Sequence, residues 1–138
     1  MIDPAEMAAR KAKVVLAADD QPENIQLLES LIEGQGFTFF GVNGGAECIS
    51  LAPRVNPRLI LLDVQMPGMD GFEACRRLRG IYALRHTPVA FLTARKGVAD
   101  VQAGVAAGGN DFIVKPFAPD KLIARVLHWT NRRVTAAA

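Results

Sequence analysis

Short apolar runs alternate with longer amphipathic stretches along most of this chain. Residues 14–18 and 59–62 are entirely apolar, whereas the stretch after Pro22 carries apolar side chains at helical spacing. Continuous apolar strands are typical of parallel sheets, because helices cover both faces of such a sheet. Strands that alternate with helices indicate successive βαβ units. The chain is therefore predicted to be an α/β protein with a parallel sheet wrapped by helices.

The same pattern predicts five strands and five helices. The strands are expected at 14–18, 37–42, 59–62, 88–92 and 112–114. The helices are expected from Pro22 to before Gly34, from about 45 to 52, around 72–78, at 98–107 and from Pro119. The side chains predicted to face inward are Ile25, Leu27, Leu28, Leu31 and Ile32 on the first helix, and Leu122, Ile123, Val126, Leu127 and Trp129 on the last. Residues 13–133 are predicted to form one domain, with a flexible lead-in at 1–12 and a tail at 134–138.

Composition excludes several other classes of protein. The chain has 138 residues, half of them hydrophobic, and a net charge of +2, which is too small to predict a nucleic-acid partner. Cys48 and Cys75 have no metal or redox spacing and are predicted to be buried thiols. No apolar run approaches the roughly 20 residues of a membrane span, and the N-terminus lacks a signal-peptide core. A soluble cytoplasmic protein is expected.

The polar residues of most interest follow the ends of the predicted strands. Asp19 and Asp20 follow the first strand, Asp63 the third, Thr93 the fourth and Lys115 the fifth. Parallel strands all end at one edge of a sheet, and ligands of open α/β sheets bind at that edge. Taken singly, each residue has an ordinary alternative role. Asp19, Asp20 or Thr93 could cap a helix, Asp63 could begin a turn, and Lys115 could be a solvated side chain. Their shared position favours one functional site.

Three converging carboxylates repel one another, so the cluster predicts a bound cation. An all-oxygen site suits Mg²⁺ better than zinc, and Mn²⁺ is expected to substitute for it. A carboxylate beside that metal can act as a nucleophile toward a phosphoryl group. Lys115 and the Thr93 hydroxyl would then hold phosphoryl oxygens.

Four segments resemble the receiver domains of bacterial two-component response regulators. They read VVLAADDQPEN, LILLDVQMPGMDGFE, PVAFLTA and GGNDFIVKPF, in this order. The resemblance, which extends from about 13 to 133, implies a flavodoxin-like, doubly wound (βα)5 three-layer sandwich with strand order 2-1-3-4-5. It also implies that Asp63 is the phospho-acceptor, that Asp20 ligates Mg²⁺ directly, and that Asp19 acts mainly through water. Gln65 is expected to offer its backbone carbonyl to the metal.

The resemblance assigns further roles around this centre. Thr93 is the hydroxyl that binds the phosphoryl group, Lys115 pairs with the acceptor, and Phe112 is the aromatic switch that turns inward when Thr93 moves. The bond between Lys115 and Pro116 is expected to be cis. Gln65 and Arg95, each two residues beyond a site residue, are expected to modulate the lifetime of the phosphate.

The resemblance also implies partners. A sensor histidine kinase or histidine phosphotransfer protein would donate the phosphoryl group. A downstream protein or a fused output domain would then respond to the face formed by the fourth helix, fifth strand and fifth helix. Asp111 and Arg125 match positions that form an inter-subunit ion pair in some receivers, which points to a weak or phosphorylation-dependent homodimer. Asn110 replaces the companion acid of that interface.

Two other functions remain open from the sequence. A receiver-like module can bind partners without phosphorylation, although such modules lack an acid or the lysine, and all are present here. Phosphatases with an aspartyl nucleophile also use a similar sheet, but they carry a second Asp where this chain has Gln65. A switch with self-catalysed phosphorylation and dephosphorylation, rather than an enzyme with external substrates, is therefore expected. The sequence does not identify the cognate kinase, the stimulus, the output or the phosphate lifetime.

Overall fold

A computed structural model describes residues 13–94 and 97–131 of the chain. Five parallel strands form one sheet in the order β2-β1-β3-β4-β5, as predicted. The strands are β1 (Val14–Ala18), β2 (Thr38–Val42), β3 (Leu59–Asp63), β4 (Val89–Thr93) and β5 (Asp111–Val114). The helices are α1 (Pro22–Glu33), α2 (Gly45–Val55), α3 (Gly71–Arg79), α4 (Val98–Ala106) and α5 (Pro119–Asn131). The predicted lead-in at 1–12, the tail at 134–138 and Arg95 lie outside the described residues.

The predicted elements are all present, with shifts at their ends. β2 begins at Thr38 rather than Phe37, and a 3-10 helix at Tyr82–Leu84 was not predicted. The second helix continues past Ala52 to Val55, where Asn56 adopts a left-handed conformation (φ 49°) and its N–H donates to the Ala52 carbonyl. Asn56 thus ends the helix in the left-handed conformation that glycine often adopts at this position.

The prediction that a side chain faces inward is wrong at two positions. Leu27 on α1 is 41% exposed and Leu127 on α5 is 36% exposed. Each is adjacent in sequence to a fully buried neighbour, Leu28 and Val126 respectively. Successive residues of a helix point about 100° apart, so the neighbour of a residue at the centre of the buried face can lie at its exposed margin, as Leu27 and Leu127 do.

Hydrophobic cores lie on both faces of the sheet. Along β1, Leu16 and Ala18 face one core while Val15 and Ala17 face the other, as expected from the alternation of a strand. The first core also contains buried residues of α2 and α3, and the second contains residues of α1 and α5. Helices therefore cover both faces, which makes three layers. Within the described residues, no helix is both long and apolar enough to cross a membrane.

Strand register brings the carboxyl ends of the central strands level with one another. Asp63 at the end of β3 pairs with Leu92, and Thr93 at the end of β4 pairs with Val114. The chain after β3 then turns tightly, because the Gly71 N–H donates to the Val64 carbonyl at 2.9 Å. A Cβ at Gly71 would lie 2.3 Å from the Asp63 carbonyl oxygen, so this turn requires glycine. The sheet therefore presents Asp63 and Thr93 at the same edge.

Phe112 on β5 packs inward against α4. Its ring centroid lies 5.4 Å from that of Phe91, and the ring occupies the space beside Gly104. An added Cβ at Gly104 would lie 2.3 Å from the Phe112 Cζ atom. The missing side chain of Gly104 therefore provides the room for the inward ring.

At the opposite edge of the sheet, the guanidinium group of Arg79 joins two connections, the one between α3 and β4 and the one between α4 and β5. It donates to the backbone carbonyls of Gly108 (2.8 and 3.0 Å), Leu84 (3.0 Å) and Thr87 (2.6 Å), and to the side chain of Asn110 (2.9 Å). Burial lowers the pKa of Arg79. Five donors in a planar fork suit this arrangement better than the single ammonium of lysine.

Candidate functional site

Asp63 lies at the carboxyl end of β3 and is 5% exposed. Its Oδ1 atom is 3.1 Å from Lys115 Nζ, and the backbone N–H of Gln65 donates to the same atom at 3.3 Å. Asp63 is thus a nearly buried carboxylate with a cationic partner on one oxygen. These two contacts hold the Asp63 carboxylate in a fixed orientation.

Asp19 is fully buried next to Asp63. Its Oδ1 accepts a hydrogen bond from the backbone N–H of Gln21 (2.9 Å), and its Oδ2 lies 3.1 Å from Lys115 Nζ. The side-chain amide of Asn24 also donates to Oδ2, at 3.2 Å. Lys115 therefore bridges Asp19, which follows β1, and Asp63, which ends β3.

Asp20 completes an acidic cluster. Asp19, Asp20 and Asp63 each offer a carboxylate oxygen, and these three atoms lie within 4.8 Å of one another. Asp20 is exposed, so one side of the cluster is open to water. Oxygen donors at this spacing, with room for water ligands, fit the coordination preferences of Mg²⁺.

The environment of Asp63 makes its ionised form costly. Burial, together with the nearby charge of Asp19, raises the pKa of Asp63 from an ordinary 3.8 to about 6. The hydrogen bonds from Lys115 and from the Gln65 backbone oppose this shift and do not cancel it. A cation among the three acids would favour the ionised form, so the electrostatics of the cluster also fit a bound divalent metal.

The acidic cluster lies in a cleft of about 750 Å³. Asp20, Asp63, Gln65, Thr93 and Lys115 all line it. The five strand-end residues predicted from the sequence, Asp19 included, are thus brought together in one place. An oxyanion in the cleft would have the Lys115 ammonium and the Thr93 hydroxyl on its walls.

The remaining predicted residues lie further from the acids. Phe112 is 8% exposed and points into the core, and the bond between Lys115 and Pro116 is cis as predicted. Asp111 and Arg125 form an ion pair within one chain, and the indole N–H of Trp129 donates to Asp111 at 2.8 Å. Although burial acts to raise the pKa of Asp111, hydrogen bonds from Arg125, Trp129 and the Phe112 backbone outweigh it and lower that pKa. The inter-subunit role of this pair stays a prediction.

Sequence reasoning missed two polar residues. Asn24, five residues after Asp19, contacts the acidic cluster, and Arg79 contacts residues up to 31 positions away. Asn24 could have been noticed, because the third residue of a helix that begins at Pro22 lies near the preceding loop. No sequence signal indicates the partners of Arg79.

Comparisons with known proteins agree with this geometry. The family profile described as the response regulator receiver domain matches residues 15–127. The DNA-binding response regulator MtrA of Mycolicibacterium smegmatis is 36% identical over 112 residues, which cover 81% of this chain and 48% of MtrA. The chain thus spans about half the length of that relative.

Solved structures show the same fold. Chemotaxis protein CheY4 of Vibrio cholerae superposes with a TM-score of 0.83 and 29% identity, over 85% of this chain and 98% of CheY4. The receiver domain of sensor histidine kinase PA1611 from Pseudomonas aeruginosa, solved with a magnesium ion coordinated in its active-site cleft, gives a TM-score of 0.81 and 28% identity, over 88% and 99% of the two chains. The strand order, the acidic cleft and the profile match lead to the same conclusion: this chain belongs to the response regulator receiver domain family.

Proposed function

We propose that Asp63 is the residue of this receiver domain that accepts a phosphoryl group, donated by phosphohistidine on a histidine kinase or phosphotransfer protein. A carboxylate oxygen of Asp63 forms the new bond to phosphorus while the bond from phosphorus to the histidine nitrogen breaks. The electron pair of that bond leaves with the imidazole. The observation that carries the proposal is the Lys115 ammonium, 3.1 Å from both Asp19 and Asp63, because it supplies a positive charge where the phosphoryl oxygens would lie.

Mg²⁺ is the cofactor we propose for this site, with Mn²⁺ as a substitute. Asp20 and Asp63 would ligate it directly, Asp19 mainly through water, and Gln65 through its backbone carbonyl. When bound, the metal supplies positive charge that offsets the negative charge of the transferred group. The carboxylates hold that ion, and Asp63 keeps its ionised, nucleophilic form beside it. The magnesium ion in the PA1611 receiver domain supports this assignment.

Thr93 and Phe112 would convert phosphorylation into a change of surface. The Thr93 hydroxyl, which lines the cleft, would bind a phosphoryl oxygen and move toward it. Phe112 already lies inward in this structure, so the space vacated by Thr93 would stabilise that position and thereby the matching arrangement of the face formed by α4, β5 and α5. Phosphorylation acts by stabilising one of two arrangements of such a face. Gln65 and Arg95 are proposed to tune how long the phosphate lasts.

The partners we propose follow from the family and from the length of the relatives. A histidine kinase or phosphotransfer protein supplies the phosphoryl group, and a downstream protein or fused output domain reads the altered face. A homodimer through Asp111 and Arg125 would have to exchange the ion pair that these residues form within one chain. The receiver domain proposed here spans 13–133 and acts in the cytoplasm as a phospho-acceptor switch, without turnover of external substrates.

The intact mass of the protein after incubation with acetyl phosphate and Mg²⁺ tests the proposal. We expect one phosphoryl adduct, absent from Asp63→Asn and from a sample with the metal chelated. Asp70→Asn is the matched control, because Asp70 lines the same cleft and is the cap of α3, where its side chain accepts the Glu73 N–H. Asparagine caps a helix as well as aspartate does. This control should retain the adduct.

Two results would contradict the proposal. An adduct that persists in Asp63→Asn would place the acceptor at another residue. The lack of any adduct in the folded protein, with no binding of the phosphate mimic beryllofluoride, would favour a module that binds partners without phosphorylation.

A further inference from the structure

We propose that Asn24 is a positioning residue for the acidic cluster, whose side-chain amide holds the Asp19 carboxylate in the orientation that binds the divalent cation. This inference rests on the metal site proposed above. It concerns a residue on α1 that neither the strand-end pattern nor the family resemblance singled out.

The contacts of Asp19 carry the inference. A fully buried carboxylate is stable only when its oxygens accept hydrogen bonds. The Asp19 Oδ1 atom has the Gln21 backbone N–H at 2.9 Å, and Oδ2 has the Asn24 amide at 3.2 Å and Lys115 Nζ at 3.1 Å. The Asn24 amide also lies 3.0 Å from the side-chain oxygen of Gln21. The Nδ2 group of Asn24 thus donates to two side-chain oxygens, one on Asp19 and one on Gln21.

A neutral donor has an advantage at this position. The amide of Asn24 fixes the direction of Asp19 without cancelling the negative charge that attracts a cation, which an arginine or lysine here would do. Lys115 does partly cancel that charge, and it is shared with Asp63. A phosphoryl group on Asp63 would compete for the Lys115 ammonium. Among the described residues, Asn24 would then be the remaining side-chain donor to Oδ2.

Helix capping does not account for Asn24. It is the third residue of α1, where a capping side chain would accept a hydrogen bond from the backbone N–H of Gln21, the residue before the helix. Both contacts of the Asn24 amide are instead donated to side-chain oxygens. The start of the helix is already favoured by Pro22. Loss of the amide should therefore change the acidic cluster more than the helix.

Calorimetric titration of the unphosphorylated protein with Mg²⁺ tests this role without any phosphoryl transfer. We expect Asn24→Ala to bind Mg²⁺ about tenfold more weakly than the wild type. This is the lower end of what loss of an outer hydrogen-bond partner costs a metal site, because Asp19 would reach the metal mainly through water. Gln26→Ala, an exposed amide on the same helix, is the matched control and should bind like the wild type. The unfolding temperature in a chelator, measured on all three proteins, should stay nearly constant. A merely structural role would lower the unfolding temperature instead.

Three outcomes separate the possibilities. Equal Mg²⁺ affinity in Asn24→Ala and the wild type would overturn the positioning role. If alanine lowers the unfolding temperature, Asn24→Leu keeps the same branched side-chain skeleton without a donor. Wild-type Mg²⁺ affinity in that variant would overturn the role as well. A wild-type protein that binds no Mg²⁺ would refute the proposed metal site itself, a failure distinct from that of Asn24.

Discussion

Asp63→Asn should stabilise the fold in a pH-dependent way. Burial beside Asp19 raises the pKa of Asp63 to about 6, from 3.8 for the same group in water. Because the folded-state pKa is the higher one, folding disfavours the ionised carboxylate. The penalty is absent below the unfolded pKa, grows as the pH rises through the interval from 3.8 to about 6, and is complete above it.

The size of the penalty follows from the two pKa values. A difference of about two units, at 1.36 kcal/mol per unit, corresponds to about 3 kcal/mol at pH 8. At pH 4 the same linkage gives less than about 1 kcal/mol, because that pH lies only just above the unfolded pKa of 3.8 and the folded carboxyl is still protonated. Asparagine removes the charge and keeps the shape, and Lys115 retains Asp19 as a partner at 3.1 Å. The Asp63→Asn variant should therefore have a higher free energy of unfolding than the wild type at pH 8. This gain in stability should be about 2–3 kcal/mol larger at pH 8 than at pH 4.

Urea unfolding of both proteins at several pH values from 4 to 8, in a chelator, measures this difference. Glu29→Gln is the control, because Glu29 is an exposed acid in the middle of α1 and its removal should change the unfolding free energy only slightly. A gap between Asp63→Asn and the wild type that is constant with pH would refute the reasoning. So would a wild type that is the more stable protein at pH 8, since attraction to Lys115 would then outweigh burial and repulsion by Asp19.

Three further substitutions test packing and capping. Gly104→Ala should turn the Phe112 ring outward, which would change the NMR chemical shifts of the ring. The free energy of unfolding in urea should fall by about 1–2 kcal/mol, because the lost burial of Phe112 exceeds the gain in helix propensity. An unchanged ring position would contradict this. Asp70→Ala removes the side chain that caps α3 by accepting the Glu73 N–H at 2.8 Å. The free energy of unfolding should fall by about 1 kcal/mol in thermal or urea unfolding, whereas Asp70→Asn should leave it almost unchanged. Arg79→Met should lower the free energy of unfolding by roughly 2 kcal/mol in the same assay, because the Gly108 carbonyl and its neighbours lose a charged donor. A stability equal to that of the wild type would show that water replaces the guanidinium without loss.

The sequence predicted the elements of the fold and the contents of the site because both follow from local rules. Continuous apolar runs mark buried parallel strands, and the carboxyl ends of such strands meet at one edge. The positions of Asp63 and Thr93 therefore followed from the third and fourth strands alone, and the structure brings both to the cleft. Helix periodicity was less informative where apolar residues are consecutive, as at Leu27 and Leu127, because hydrophobicity alone does not choose between neighbouring faces.

What the sequence could not predict depends on contacts between distant residues. The partners of Arg79 lie 5 to 31 residues away, and only the folded chain brings their carbonyl oxygens together. The direction of the Phe112 ring likewise depends on the space beside Gly104, which is on another element. The intrachain pairing of Asp111 with Arg125 was also hidden, because the same two residues fit a contact between subunits.

The position of Trp129 gives this protein a fluorescent reporter of its own. It is the single tryptophan of the chain, and its indole N–H donates to Asp111, the residue before Phe112 on β5. Indole emission depends on hydrogen bonding and solvent contact, so its wavelength should shift whenever α5 and β5 separate or rearrange. Movement at this junction can therefore be followed in unlabelled protein, in real time, as phosphate donors or partners are added.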